Sequence, residues 1–151
     1  MAVHKVDGVD GVNHFPKKSV TLYCEASSIS AGQWVMFGTD TTNGLGGSVK
    51  LATLVSTNGC SAVIGIATQT LTAAGNLVVQ TAGKYEDAYV DTDIAVGLGI
   101  SGCNTTAGSA SLTDASTFQV IGVALETEGT SAGESGTAER ADVMIIDQGF
   151  F

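Results

Sequence analysis

The chain has 151 residues, of which 44% are hydrophobic, 14% charged and 20 are glycine, with a single proline, Pro16. That is one domain's worth of chain with enough apolar residues for a core, which excludes a disordered polymer, while the glycine content speaks against a helical bundle. The net charge of −9 is uneven: five lysines up to Lys84 face four carboxylates, after which Arg140 stands alone against eleven. So acidic a body repels phosphate, which excludes direct nucleic-acid binding.

Residues 1–18 read as an extended N-terminal arm. Val3, Val6, Val9 and Val12 recur every third residue, yet Gly8, Gly11 and Asn13 oppose a stable helix. His14, Phe15, Pro16, Lys17 and Lys18 close the arm with an aromatic, a breaker and two positive charges. A segment of this kind cannot bury itself locally, so it is either frayed or laid along a neighbour.

The body runs over residues 19–151. Val20, Leu22 and Cys24 alternate with polar or amphipathic neighbours, the period of a half-buried strand. Ser27 to Gln33 reads as a connection, and Trp34 to Phe37 as a buried strand with the only tryptophan. Asp40 to Gly47 is turn chemistry, Val49 to Val55 a strand, and Asn58-Gly59 a hairpin turn. Leu77 to Gln80 is a further strand, Asp93 to Leu98 a turn leading into another, and Ser101 to Ser116 a loop of small residues.

One phrase occurs twice. Val63-Ile64-Gly65-Ile66-Ala67 returns as Val120-Ile121-Gly122-Val123-Ala124, and each copy runs through a polar excursion to an Ala-Gly pair and then an apolar strand. Ala74-Gly75 leads to Leu77-Val78-Val79, and Ala132-Gly133 leads, after a polar insertion, to Val143 to Ile146. A partial third copy is Ala31-Gly32 followed by Trp34 to Phe37. The expectation is that Ile64, Ile66, Ile121 and Val123 face the core while Gly65 and Gly122 permit close strand approach. About nine short strands, without a convincing amphipathic helix, predict an all-β fold: a small β-barrel or sandwich with an extended N-terminal arm.

Candidate chemistry is sparse. Gly129-Thr130-Ser131-Ala132-Gly133 matches the nucleophile elbow of serine hydrolases, but both histidines, His4 and His14, precede Ser131 and no helix signal follows. Gly97-Leu98-Gly99-Ile100-Ser101-Gly102 fits a phosphate-binding pattern, again without the helix that would complete it, and reads as a turn. Cys24, Cys60 and Cys103 have no zinc-ligand spacing and are expected to be reduced thiols. Acidic pairs such as Glu126/Glu128 and Asp91/Asp93 lie beside turns, where solvated carboxylates are ordinary. The expectation is therefore a non-enzyme without cofactor or metal. No apolar run approaches the ~18 residues of a membrane span and no secretory leader is present, which predicts a soluble protein made in a cytoplasm.

The segment Ile121 to Glu134, I-G-V-A-L-E-T-E-G-T-S-A-G-E, resembles the closing segment of the capsid decoration (cement) proteins of tailed phages. Ile64 to Ala67 with Ala74-Gly75, Leu77 to Thr81 and Gly83-Lys84-Tyr85 is similar to the middle of that family, and Ser30 to Val35 to its opening turn and strand. Ala132 to Asp142 departs from it in being longer than the family's step from Ala-Gly to strand. The resemblance implies a small β-barrel, often a homotrimer, on the outer surface of an icosahedral phage capsid, where it binds the major capsid protein and stabilises the shell. The arm is the expected contact, with Val3, Lys5, Val6, Val9, His14, Phe15, Lys17 and Lys18 as interface residues. The alternative is a carbohydrate-binding or adhesin-like β module that uses Trp34, Tyr85 and Tyr89 as a stacking platform.

Overall fold

The structure is a computed structural model that describes residues 16–25, 28–38, 48–52, 63–90, 94–101, 107–112, 120–127 and 139–149. Among the described residues there is no helix, and nine strands form: β1 (Lys18–Cys24), β2 (Trp34–Phe37), β3 (Val49–Leu51), β4 (Val63–Ala67), β5 (Gly75–Val90), β6 (Gly99–Ser101), β7 (Ser111–Leu112), β8 (Gly122–Ala124) and β9 (Glu139–Ile145). The all-β expectation holds. The strands follow the order β1-β3-β2-β4-β5-β9-β8-β6-β7, and an additional β1–β5 pairing closes the first five into a barrel.

The expectation of uniformly short strands fails at β5, which runs 16 residues. Its first half, Gly75 to Ala82, pairs with β1, and its second half, Gly83 to Val90, pairs with β9. Gly83 sits at the change of partner with φ +90°, a backbone state that costs glycine little. The Gln80 side chain is buried and donates to the carbonyls of Ala82 (3.1 Å) and Lys84 (2.9 Å), stapling the bend from inside. Further along, the β5–β9 register shifts between Tyr85 and Ala88, where Asp87 adopts φ +59°. One strand thus serves the barrel and then an outer sheet.

Two cores result. The barrel encloses Val35, Val49, Ile64, Leu77 and Val79, whereas Trp34, Met36, Ile66, Ile100, Val143 and Ile145 belong to a second core under the outer sheet. The shared wall is β2 and β4, whose runs Trp-Val-Met-Phe and Val-Ile-Gly-Ile-Ala lack the usual apolar/polar alternation because both faces are covered.

The repeat is structural. In each copy the V-I-G strand pairs antiparallel with the strand that follows its excursion, β4 with β5 and β8 with β9. Ile64, Ile66 and Ile121 are buried as expected, but Val123 is only half-buried and Val120 is exposed. The first copy is sandwiched between two cores, while β8 has only one beneath it.

The Ser101–Ser116 stretch is not simply a loop. Ser101 ends β6, Ser109 and Ala110 are buried, and Ser111–Leu112 forms β7 against β6. Small residues are needed here because a Cβ at Gly108 would stand 3.0 Å from both Gln33 and Leu51 side-chain atoms. The Ser27–Gln33 connection carries the fully buried Ile29, bridged to Leu71. Asn58-Gly59, Val55 and the Gly129–Gly133 pattern lie outside the described residues.

Candidate functional site at the seam of two strands

Because β1 and β9 pair with successive halves of β5, the start of one and the end of the other come together. Lys18 is paired with Ala82 and Ile145 with Gly83. Across this seam Lys18 Nζ donates to Asp147 Oδ2 at 2.7 Å. The lysine, together with the Gly149 N–H at 2.8 Å, holds the Asp147 carboxyl below the usual carboxylate range. Gly149, at φ +72°, completes the turn that Asp147 caps.

Beside the ion pair lies a cleft of about 480 Å³. Its walls are Pro16, Ala82, Gly83, Met144, Ile145 and Ile146, with Lys18 and Asp147 as its charged residues. These two already satisfy each other, so the cleft offers a predominantly apolar surface without the convergent polar groups that orient a small polar ligand. Ile146 is 41% exposed, and Met144 half-buried.

The residues the sequence singles out fall in different places. Val3, Lys5, Val6, Val9, His14 and Phe15 lie outside the described residues. Lys17 is exposed, and Lys18, the last residue assigned to the arm, is the first residue of β1. Met144 and Ile146 carry no sequence signal that sets them apart from core residues. What places them at the cleft is the change of partner at Gly83.

The proposed stacking platform does not form. Trp34 is fully buried, with its indole Nε1 donating to the Tyr89 carbonyl at 3.0 Å. Tyr85 packs against the second core and its hydroxyl donates to the Ala67 carbonyl at 3.1 Å. Arg140 stacks on Tyr89 at 3.6 Å from the ring centroid and donates to the Asp87 carbonyl at 2.9 Å. Trp34 and Tyr85 are occupied at the second core, and the Tyr89 ring is covered by Arg140.

The phosphate-binding pattern dissolves in the same way. Gly97 occupies a turn at φ +84°, and Gly99–Ser101 is not the turn expected but strand β6, paired with β7 and β8. Cys24 is buried and takes part in no disulfide, whereas Cys60 and Cys103 lie outside the described residues. Glu126 accepts from the Asp142 N–H at 2.9 Å, and Asp142 pairs with Lys84 at 2.7 Å. Among the described residues no group of three or more His, Cys, Asp or Glu side chains is placed to hold a metal.

Two groups make stability sensitive to alkali. The hydrogen bond to Asp142, with a second to Glu86, raises Lys84 above its ordinary 10.5, and burial raises the Tyr85 phenol above its ordinary 10.0, offset in part by the Gly32 N–H. In both cases the unfolded chain releases its proton first. Their contributions are therefore present below about pH 10 and are lost as pH rises through the raised values. Urea midpoints measured from pH 8 to 11.5 should fall over the last two units. Tyr85→Phe should cost about 0.5–1.5 kcal/mol at pH 8, for the hydrogen bond, and flatten the alkaline fall. An identical alkaline slope in that variant would contradict the assignment.

The described residues thus define an all-β protein with a closed barrel, an outer sheet grown from one of its strands, and an apolar cleft where the two meet. No family model matches the chain, and no curated protein matches it. Among solved structures it is similar to the N base of the head fiber gp8.5 in bacteriophage phi29, at 16% sequence identity and a TM-score of 0.48 over 87% of this chain and 98% of that chain.

Proposed function

We propose that the chain is a structural, non-catalytic virion protein of the decoration type, which binds the outer surface of a phage capsid and stabilises the shell. The observation that carries this reading is where the decoration-like phrases fall in the fold. Ile64–Ala67 is the central barrel strand β4, and Ile121–Ala124 includes β8 of the outer sheet, each fastened to its neighbour by a glycine approach. The likeness to decoration proteins therefore resides in the framework, and the work is done by segments attached to it.

The arm is the first of these. Its valines and lysines suit strand addition or shallow apolar grooves on a shell protein, and its charge opposes that of the acidic body. Docking orders the arm at about 1–2 kcal/mol per residue, so valine burial and backbone pairing must exceed that cost. Assembly as a homotrimer would add avidity on a repeating shell.

The test is co-sedimentation and negative-stain imaging of the purified protein with undecorated capsids. Deleting residues 2–13 should leave the barrel folded and weaken shell binding at least about tenfold, or ~1.4 kcal/mol. Undiminished binding by the truncated protein would move the docking surface to the body, and no binding by the intact chain would reject the decoration reading.

A further inference from the structure

We propose that the cleft at the β1–β9 seam is the seat of Phe15, which roots the chain's own arm on the body. Pro16 is one wall of this cleft, and Phe15 is its direct neighbour in the chain. The proline also disfavours the helical region for the residue before it. Met144, Ile145 and Ile146, at the end of β9, line the same cleft as Pro16.

The chemistry of the site matches that occupant. A cleft of about 480 Å³ has room for an aromatic ring, its walls are apolar, and its one ion pair is internally satisfied. An apolar side chain therefore enters without leaving a buried charge unpaired. Phe150 is also near in sequence, but it follows the capped turn at Asp147–Gly149 and stands three residues from the cleft wall, against one for Phe15.

Rooting changes what the arm can do. With residue 15 fixed, residues 1–14 leave the body from one point instead of sweeping freely, which lowers the ordering cost of any later docking. The inference concerns the isolated chain and stands whether or not that docking partner is a capsid.

The experiment is a double-mutant cycle on the full-length chain, read by urea unfolding, with Phe15→Ala and Met144→Ala as the single changes. Phe15→Ala should raise the unfolding constant about tenfold or more, and the double variant should lose clearly less than the two single losses combined. Lys17→Ala, one residue beyond Pro16, should leave the midpoint unchanged. Should Met144→Ala fail to fold, Ile146→Ala takes its place, since that side chain is already 41% exposed.

An unchanged midpoint in Phe15→Ala, or strict additivity with the cleft variants, overturns the proposal. Coupling of Met144 to Phe150→Ala and not to Phe15→Ala assigns the cleft to the other end of the chain. Coupling that depends on protein concentration, with dimers or trimers in sedimentation, assigns it to the arm of a second copy. Either result overturns the assignment to the chain's own Phe15.

Discussion

Gly65→Ala is expected to lower the melting temperature by roughly 6–12 °C, the equivalent of about 3 kcal/mol in a chain of this size. A Cβ built at Gly65 meets the Gln80 carbonyl oxygen at 2.1 Å and its carbon at 2.9 Å. Both are backbone atoms of β5, so no rotamer change relieves the clash and the strands themselves must part. The same substitution at Gly122 meets the Met144 carbonyl at 2.8 Å and should cost less. At Gly75 the nearest atom is 4.0 Å away, and alanine there should be neutral or slightly stabilising. Thermal unfolding of the three variants, followed by far-ultraviolet circular dichroism, tests the order. A Gly65→Ala protein that melts with the Gly75→Ala protein would remove the close approach from the account.

Trp34→Ala should be the most damaging side-chain truncation, at about 3–5 kcal/mol. The ring is fully buried in the second core, yet its backbone belongs to barrel strand β2. Its N–H donates to the Gly108 carbonyl at 2.9 Å, its carbonyl accepts from Ala52, and its indole reaches Tyr89 on the second half of β5. Losing the ring therefore opens a cavity between the barrel and the outer sheet. Trp34→Phe should cost less, about 1–2 kcal/mol, because it keeps much of the packing and the Tyr89 carbonyl still accepts from the Ala110 N–H. Calorimetry separates these outcomes. An alanine variant within one or two degrees of the parent would show that the two cores do not depend on this residue.

Both predictions start from residues conspicuous in the sequence, but their physical reasons come from different levels. The repeated V-I-G-x-A, the single tryptophan and the apolar runs around them were sufficient for an all-β protein with a barrel. Local composition suffices there because β-branched runs bounded by glycine have few other stable arrangements. Period-two reading also places Leu22 and Cys24 on one face of β1 and marks Trp34–Phe37 as buried. The Ala31-Gly32 turn, at φ +92°, stands directly before β2, where the partial third copy puts it.

The tertiary structure decided what the strands pair with. No local signal distinguishes a strand that ends at Gln80 from one that bends at Gly83 and runs on to Val90, because the continuation is held by β9, 49 to 62 residues away. Burial in the second repeat copy was illegible for the same reason: Val123 has the pattern of Ile66, but only β4 is covered on both faces. The small residues Gly108, Ser109 and Ala110 read as a loop, although a tight fit against Gln33 and Leu51 is what selects for small size at Gly108. The seam cleft is the extreme case, since it exists only where β1 and β9 share β5. Composition and periodicity settle which segments become strands, a local matter of backbone preference and apolar spacing. Register and partner are set by contacts distant in sequence, and those contacts alone made a site out of Met144, Ile146 and the root of the arm.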